Sequence, residues 1–249
     1  MASDAINTRM KERYEDRTRY FLPRRTYTIL RVDGKAFHSY CRTMQRPYDL
    51  QFMYDMNKTA ELMMAEIMGA QIAYTQSDEI SILMTDFAKP STEAFFDGNI
   101  QKIASVSAAM ATGFFQSLRG QAGMPLFDAR VFTIPDHIEV ENYFIGRQHD
   151  AVRNSILMLG QHHYSHKELH GKDCSQVQEM IFAKGDNWNS HPDRYKRGGL
   201  VYYDSETKPY PSWKHVPAPT FESPEGRTLV KTLIPIHWPE DATDEKKSA

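Results

Sequence analysis

One stretch restricts the fold more than any other: "AQIAYTQSDEISILMTD", residues 70–86. Ile80, Ile82 and Met84 alternate with Ser81, Leu83 and Thr85, the period of a strand with two distinct faces. Ser77-Asp78 supplies a polar bend between two such runs. A tight hairpin is antiparallel. With this hairpin at its centre, the sheet is not a simple doubly wound parallel one.

The flanking segments complete a pattern. Ahead of the hairpin, "TYTILRVD" (Thr26–Asp33) reads as a buried strand. "DLQFMYDMNKTAELMMAEIM" (Asp49–Met68) follows as a helix, with Phe52, Met56, Met63 and Ile67 near helical spacing. Asp49 is its expected N-cap and Gly69 its stop. Behind the hairpin, the Ala/Ser-rich run Asn99–Leu118 reads as a closely packed helix, and "FDARVFTIP" (Phe127–Pro135) as a strand that ends at proline. The order is strand–helix–strand–strand–helix–strand, the split βαβ or ferredoxin-like pattern. The predicted fold is therefore α+β: a palm-like βαββαβ antiparallel sheet with helices packed on it. Residues 1–135 form the core with a short charged N-terminal helix ("MKERYEDRTRYF"). Residues 136–249 form a helical and β extension packed on that core as one unit. It holds a long helix (His137–Gly160), a His-rich segment, the helix "SQVQEMIFAKG" and a basic turn into a strand, "DRYKRGGLVYY". The tail from Glu240 is expected to fray.

This order brings two carboxylates together. In a split βαβ sheet the first strand pairs with the third, so Asp33 at the end of one meets Asp78 at the start of the other, from 45 residues away in sequence. Neighbouring strands lie ~4.8 Å apart, so the two anions repel unless they share hard cations. A pair of Mg²⁺ ions fits, and paired Mg²⁺ clamps the entering and leaving oxygens of a phosphoryl transfer. Gly34, lacking a Cβ, lets backbone approach a metal or phosphate. Lys35 and the amides of Ala36, Phe37 and His38 are candidates to line a triphosphate.

Composition narrows the classes. No apolar run in the 249 residues approaches the ~20 of a membrane span, and no apolar signal core opens the chain. Cys41 and Cys174 are the two cysteines, without CxxC spacing, so a reducing cytoplasm is the expected setting. Net charge is −2, but Arg9–Arg46 carries 11 Lys/Arg against 4 Asp/Glu, a basic arm able to meet phosphates.

"RVDGKAFH", "YTQSDEISILM", "FDARVF" and "KRGGLVYY" together resemble the tRNA-histidine guanylyltransferase family and its Thg-like relatives, from about Met10 to Tyr203. That resemblance implies nucleotide addition to the 5′ end of tRNA, in the 3′-to-5′ direction. It implies Asp33, the Gly34 carbonyl and Asp78 as ligands of two Mg²⁺ ions. It implies Asp33–His38 and Ser77–Asp78 as nucleotide-binding segments. Arg46 and Lys102 become triphosphate contacts, and Lys196, Arg197 and Asn154 candidate contacts to triphosphate or tRNA. ATP and GTP are the implied substrates, the tRNA 5′ end and acceptor stem the implied partner, and a homotetramer the implied assembly.

Two positions depart from the family pattern. Lys35 replaces the commoner Arg and loses its bidentate fork. In "RQHDAVRNSI" (Arg147–Ile156), Val152 stands where eukaryotic members carry His, while Asn154 keeps one Asn. The departure favours the Thg-like branch, resembling a template-dependent tRNA 5′-end repair polymerase, over addition of a single non-templated guanosine. A nucleotide cyclase would use the same two carboxylates but needs a GG(D/E)EF-type hairpin that is missing. A non-catalytic RNA-binding protein would need no carboxylate pair. His162, His166, His170 and Cys174, spaced by four, are a zinc set only if one continuous helix carries them.

Overall fold

The computed structural model describes residues 2–120, 123–206 and 211–236. Its centre is a six-stranded, wholly antiparallel sheet in the order β4-β1-β3-β2-β5-β6. The strands are β1 (Tyr27–Gly34), β2 (Ala70–Gln76), β3 (Glu79–Met84), β4 (Phe127–Ile134), β5 (Gly199–Asp204) and β6 (Ser212–Pro217). The first four take the split βαβ order, as the sequence predicts. The last two carry the same sheet onward from β2. The sequence pattern predicts β5 but not β6.

The helices in chain order are α1 (Ala2–Met10), α2 (Phe37–Tyr40), α3 (Leu50–Glu66), α4 (Ile100–Arg119), α5 (His137–His163), α6 (His166–Leu169), α7 (Cys174–Ala183), α8 (Asp193–Arg197) and α9 (Pro224–Leu233). The starts of the three longest follow side-chain caps. Asp49 accepts the Phe52 amide at 2.8 Å and Asn99 the Lys102 amide at 2.9 Å. Asp136 accepts the Ile138 and Glu139 amides at 2.9 and 3.0 Å. Gly69 ends α3 at φ 82°, where a Cβ would lie 2.2 Å from the Thr85 carbonyl oxygen. Only glycine takes that position without strain. The charged N-terminal helix is displaced from its predicted span, 10–21: α1 precedes it, the span itself forms a π turn (Lys11–Glu15) and a 3₁₀ turn (Asp16–Thr18), and residues 19–21 are not helical, Phe21 bridging to Asn99.

Helices cover both faces of the sheet, which explains why all six residues of β3 are buried. Leu30, Val32, Ile80, Ile82 and Met84 pack on Met56, Met63 and Ile67 of the α3 segment and on Ile103 and Phe115 of α4. Tyr27, Ile29, Ile72, Tyr74 and Leu83 face Val140, Phe144 and Ile145 of α5. The alternation in residues 80–85 thus separates two covered faces rather than core from water. Ser81 tolerates full burial because its hydroxyl meets the Tyr143 hydroxyl at 2.9 Å, as a buried polar group requires.

Part of the basic arm is spent internally. Arg24 Nε donates to Asp86 at 2.6 Å, and the Arg25 amide to the same carboxylate at 2.9 Å. The tail from Glu240 lies outside the described residues.

Candidate active site

Antiparallel register puts the two expected carboxylates at one corner. Asp33 is the cross-strand partner of Glu79 on one side and of Asp128 on the other. The Gly34 amide donates to the Asp78 carbonyl at 3.1 Å, closing the corner around the turn. Ser77 sits in that turn at φ 46°. Among the described residues, no Lys, Arg or His forms an ion pair with Asp33 or Asp78. Both carboxyls respond to this crowding. Burial, then Glu79 and Asp128, raise the Asp33 carboxyl above its ordinary range. Asp78 is pushed up to about 6, chiefly by burial and then by Asp33, against hydrogen bonds that pull it down.

Glu79, the neighbouring acid, is neutralised instead. Arg147 of α5 grips it with two donors, Nε to Oε1 at 2.8 Å and Nη2 to Oε2. A bidentate pair of this kind is among the stronger charged hydrogen-bond arrangements. Arg147 also pairs with Asp150 at 2.6 Å. The corner therefore offers two uncompensated carboxylates plus backbone oxygen. Among the described residues there is no cluster of three or more His, Cys, Asp or Glu able to cage a metal. That set fits Mg²⁺, which takes one or two carboxylates and completes its shell with water and substrate phosphate.

Gly34 has a packing reason of its own. A Cβ there would lie 2.4 Å from the Phe37 ring. Phe37 is buried among Tyr40, Phe52, Phe115 and Phe127, so only its backbone is available to a nucleotide. Ala36 enters α2 in the left-handed region at φ 57°. Lys35 and His38 are exposed; the Lys35 amide is taken by the Leu126 carbonyl at 2.8 Å. Arg46 is exposed. The half-buried Cys41 thiol, pushed up to about 11 chiefly by burial, feels Asp78 as well as Arg119 and Arg46.

Three further expected contacts have partners of their own. Lys102 occupies the first turn of α4 over the Phe96 ring, 4.8 Å from its centroid. The corner faces the other end of that helix, ~25 Å away at about 1.5 Å per residue. Lys196 is buried, donates to the Asn189 carbonyl at 2.8 Å, pairs with Asp193 at 3.1 Å and lies over Trp188. Arg197 is held by the same Asp193 at 2.5 Å. Both cations are thus engaged by residues in and beside α8. The histidine set is also separated: His162 ends α5, His166 opens α6, His170 caps it and Cys174 opens α7, so no single helix carries them.

Other residues gather beside the corner that the sequence does not mark. A cavity behind Ser77 is lined by Asn57, Gln76, Asn154 and Arg194. Of these, Asn154 alone stands out in the sequence. Arg194 is hidden among three cations in "DRYKR", and sequence does not say which of them are neutralised.

The raised Asp78 sets a pH dependence for the metal-free protein. Its folded pKa lies above the unfolded value near 3.8, so the folded state holds the proton more tightly. Stability from this group is full below about pH 4 and is lost as pH rises through about 6, by roughly 3 kcal/mol at most. Thermal melts in EDTA should show Asp78→Asn gaining on the parent between about pH 4.5 and 7. A constant difference across that range would contradict the assignment.

Comparison with known proteins agrees with this architecture. A family model described as tRNAHis guanylyltransferase matches residues 7–135, more than half of the chain. A solved bacterial tRNA(His) guanylyltransferase-like protein in complex with ATP superposes with a TM-score of 0.84 at 36% identity, covering 92% of this chain and 100% of that one. Another, in complex with GTP, gives 0.76 at 34% identity, covering 92% and 98%. The tRNA(His) guanylyltransferase of Schizosaccharomyces pombe is 27% identical over 193 residues, 70% of this chain and 72% of its own. With matches of this extent, the chain belongs to the tRNAHis guanylyltransferase family of nucleotidyltransferases.

Proposed function

We propose that this protein adds nucleotides to the 5′ end of tRNA in the 3′-to-5′ direction, as a templated repair polymerase using Mg²⁺. The observation that carries the reading is the corner itself, where Asp33 and Asp78 converge, raised and unpaired, beside a glycine that backbone or phosphate can approach closely. The ATP and GTP complexes of the two solved relatives support nucleoside triphosphates as substrates. The absence of the eukaryotic His, replaced by Val152, supports repair over addition of a single guanosine.

The chemistry has two steps. A tRNA 5′-phosphate attacks the α-phosphorus of ATP or GTP, releasing pyrophosphate and leaving a nucleotide joined through a 5′–5′ pyrophosphate. The 3′-hydroxyl of the next nucleoside triphosphate then attacks the tRNA 5′-phosphorus and expels the nucleoside monophosphate. Asp33, the Gly34 carbonyl and Asp78 would hold two Mg²⁺ ions, which supply charge neutralisation at the phosphoryl oxygens. Lys35 and Arg46 add positive charge over the α2 turn, and Ser77 fixes the turn that aims Asp78. We extend to this chain the tetrameric assembly and cytoplasmic setting of the family it resembles. Among the described residues, no helix is long and apolar enough to cross a membrane.

Incubation with labelled ATP or GTP and a 5′-truncated tRNA tests the reading. A product lengthened at its 5′ end is expected; a cyclic nucleotide, or binding without product, would overturn it. The cations should separate by role. Arg46→Ala should raise the apparent KM for ATP and GTP alike, about ten- to hundredfold, as for a lost charged hydrogen bond. Lys196→Ala should instead cost stability, because it takes the donor from the Asn189 carbonyl and removes a buried side chain packed over Trp188, while Asp193 keeps Arg197. The expected loss is roughly 1–3 kcal/mol, a few degrees of Tm. A change confined to base preference in either variant would contradict this division.

A further inference from the structure

Arg31 of β1 and Arg130 of β4 stand directly opposite each other in the sheet. Like charges in that relation destabilise an antiparallel pair. Neither cation is firmly neutralised. Among the described residues the Arg31 side chain forms no hydrogen bond or ion pair, and Arg130 meets Asp128 at 3.7 Å, with both of those side chains more than half exposed. An ion pair so long and so wet holds its members weakly.

Strand alternation fixes where the two cations point. Tyr27 and Ile29 pack toward α5, so Arg31 and Asp33 share that face of β1. Across the strands, the same face sets Ser81 and Arg130 beside Arg31, and Glu79 and Asp128 beside Asp33. A row with two cations thus adjoins the row of acids at the corner, two residues or ~6.6 Å along the strand. Both guanidinium charges reach the Asp33 carboxyl and oppose the crowding that raises it.

The long helix leaves this end of the face open. Tyr143 of α5 meets Ser81 and packs on Phe132 of β4, and Arg147 meets Glu79. Phe144 turns to Tyr74 of β2. Helical geometry then puts Gly146 on the opposite flank, toward β4. Gly146 is exposed, and a Cβ there would meet nothing within 4 Å. Glycine weakens a helix interior, and no neighbour within the described residues requires one here. It leaves room for a backbone arriving from outside.

Charge and position decide the ligand class. Two guanidiniums on adjacent strands, ~4.8 Å apart at the backbone, can bracket one phosphate. The α2 turn, where Lys35 stands, lies on the other face of β1, because Phe37 packs with Leu30 and Val32. A triphosphate held at that turn does not also reach the arginine row. A polynucleotide does. With its terminal phosphorus at the Asp33–Asp78 corner, its next phosphate lies one nucleotide inward, the scale of the two-residue step to Arg31 and Arg130.

We propose that Arg31 and Arg130, beside the bare flank of α5 at Gly146, seat the first phosphodiester of the tRNA 5′ strand, so that the 5′ end reaches the carboxylates across the β1–β4 side of the sheet. The inference rests on the proposed function and names the surface that holds its substrate.

The test is equilibrium binding, with Mg²⁺ and over a salt series, of a 5′-monophosphorylated tRNA lacking its first nucleotide, and separately of ATP. Arg130→Gln and Arg31→Gln should each weaken tRNA binding about tenfold or more. Each should also lower the slope of log affinity against log salt by about one, with ATP affinity unchanged. Arg130→Lys should keep the parent's slope. A tRNA carrying a neutral methylphosphonate at its first 5′ linkage should bind the parent as weakly as unmodified tRNA binds Arg130→Gln, and lose nothing further on that variant. Melting curves should show no loss of stability, since each change to Gln relieves a like-charge contact. Arg130 is exposed, so its variant decides should Arg31→Gln fail to fold. Unchanged tRNA affinity and slope, an equal loss for ATP, or additive losses from the methylphosphonate and Arg130→Gln would overturn the seat. A parent that extends tRNA while Arg130→Gln binds it normally fails this inference alone. A parent that neither binds nor extends tRNA fails the proposed function itself.

Discussion

Asp33→Ala and Asp78→Ala are each expected to reduce nucleotide addition by roughly 10³-fold or more, with no loss of thermal stability. Two observations make the effects separable. Neither carboxylate is part of an ion pair among the described residues, so truncation strands no partner charge. Both are held above their ordinary pKa range by burial and by neighbouring acids, so the folded state bears a repulsion that truncation relieves. Function stands on the other side. A metal at a phosphoryl centre stabilises transition-state charge by several kcal/mol, and each step of about 1.4 kcal/mol is a factor of ten in rate. The measurements are single-turnover extension of a truncated tRNA and melting curves of the same preparations. Near-normal extension by either variant would defeat the two-metal assignment. A large drop in Tm would mean that the corner is structural.

A tRNA lacking its first 5′ nucleotide is expected to be repaired with the complement of the residue opposite the gap. The reason lies in what the α5 segment lacks. Val152 is apolar and offers no hydrogen bond to a guanine edge, and Asn154 is the one family Asn kept at its expected place. Without a protein selector for the added base, discrimination falls to pairing with the opposite strand. A correct pair holds the 3′-hydroxyl and triphosphate aligned for attack, and alignment alone is worth several kcal/mol. A mispair loses that alignment. Four truncated tRNAs differing at the templating position, each given all four nucleoside triphosphates, provide the test. The incorporated nucleotide should follow the template, and addition should slow once the stem is full. Guanosine added to all four would return the protein to non-templated guanosine addition.

The palm is legible from sequence because it is written in local signals. Strand alternation in residues 80–85, Asp49 and Asn99 as caps, and Gly69 as a stop are each decided within a few residues. The carboxylate corner is legible because strand order alone brings Asp33 to Asp78. What stays hidden depends on long-range pairing. The strand β6 pairs with β5, and its apolar residues Trp213 and Val216 stand three apart, so no strand alternation marks it. The cations of α8 look alike in sequence, yet Asp193 claims Lys196 and Arg197 while Arg194 faces the cavity unpaired. Lys102 sits on the expected helix, but at the end farthest from the chemistry, a matter of helix direction that spacing does not report. Asn57 and Gln76 look like ordinary polar residues until the surrounding segments bury them.

The continuation of the sheet has a consequence for how the chain emerges from the ribosome. Once residues through Ile134 are available, β4, β1, β3 and β2 can assemble and the two carboxylates can meet. At that moment β2 is a bare edge with a row of unpaired amides and carbonyls, a template for association with other chains. Its partner β5 lies more than a hundred residues downstream, pairing Thr75 with Gly199 and Ile72 with Tyr202. The half-made protein therefore has its two carboxylates together while the β2 edge is still open. Synthesis of the segment through β5 seals that edge, so a chain cut short after the palm is prone to aggregate.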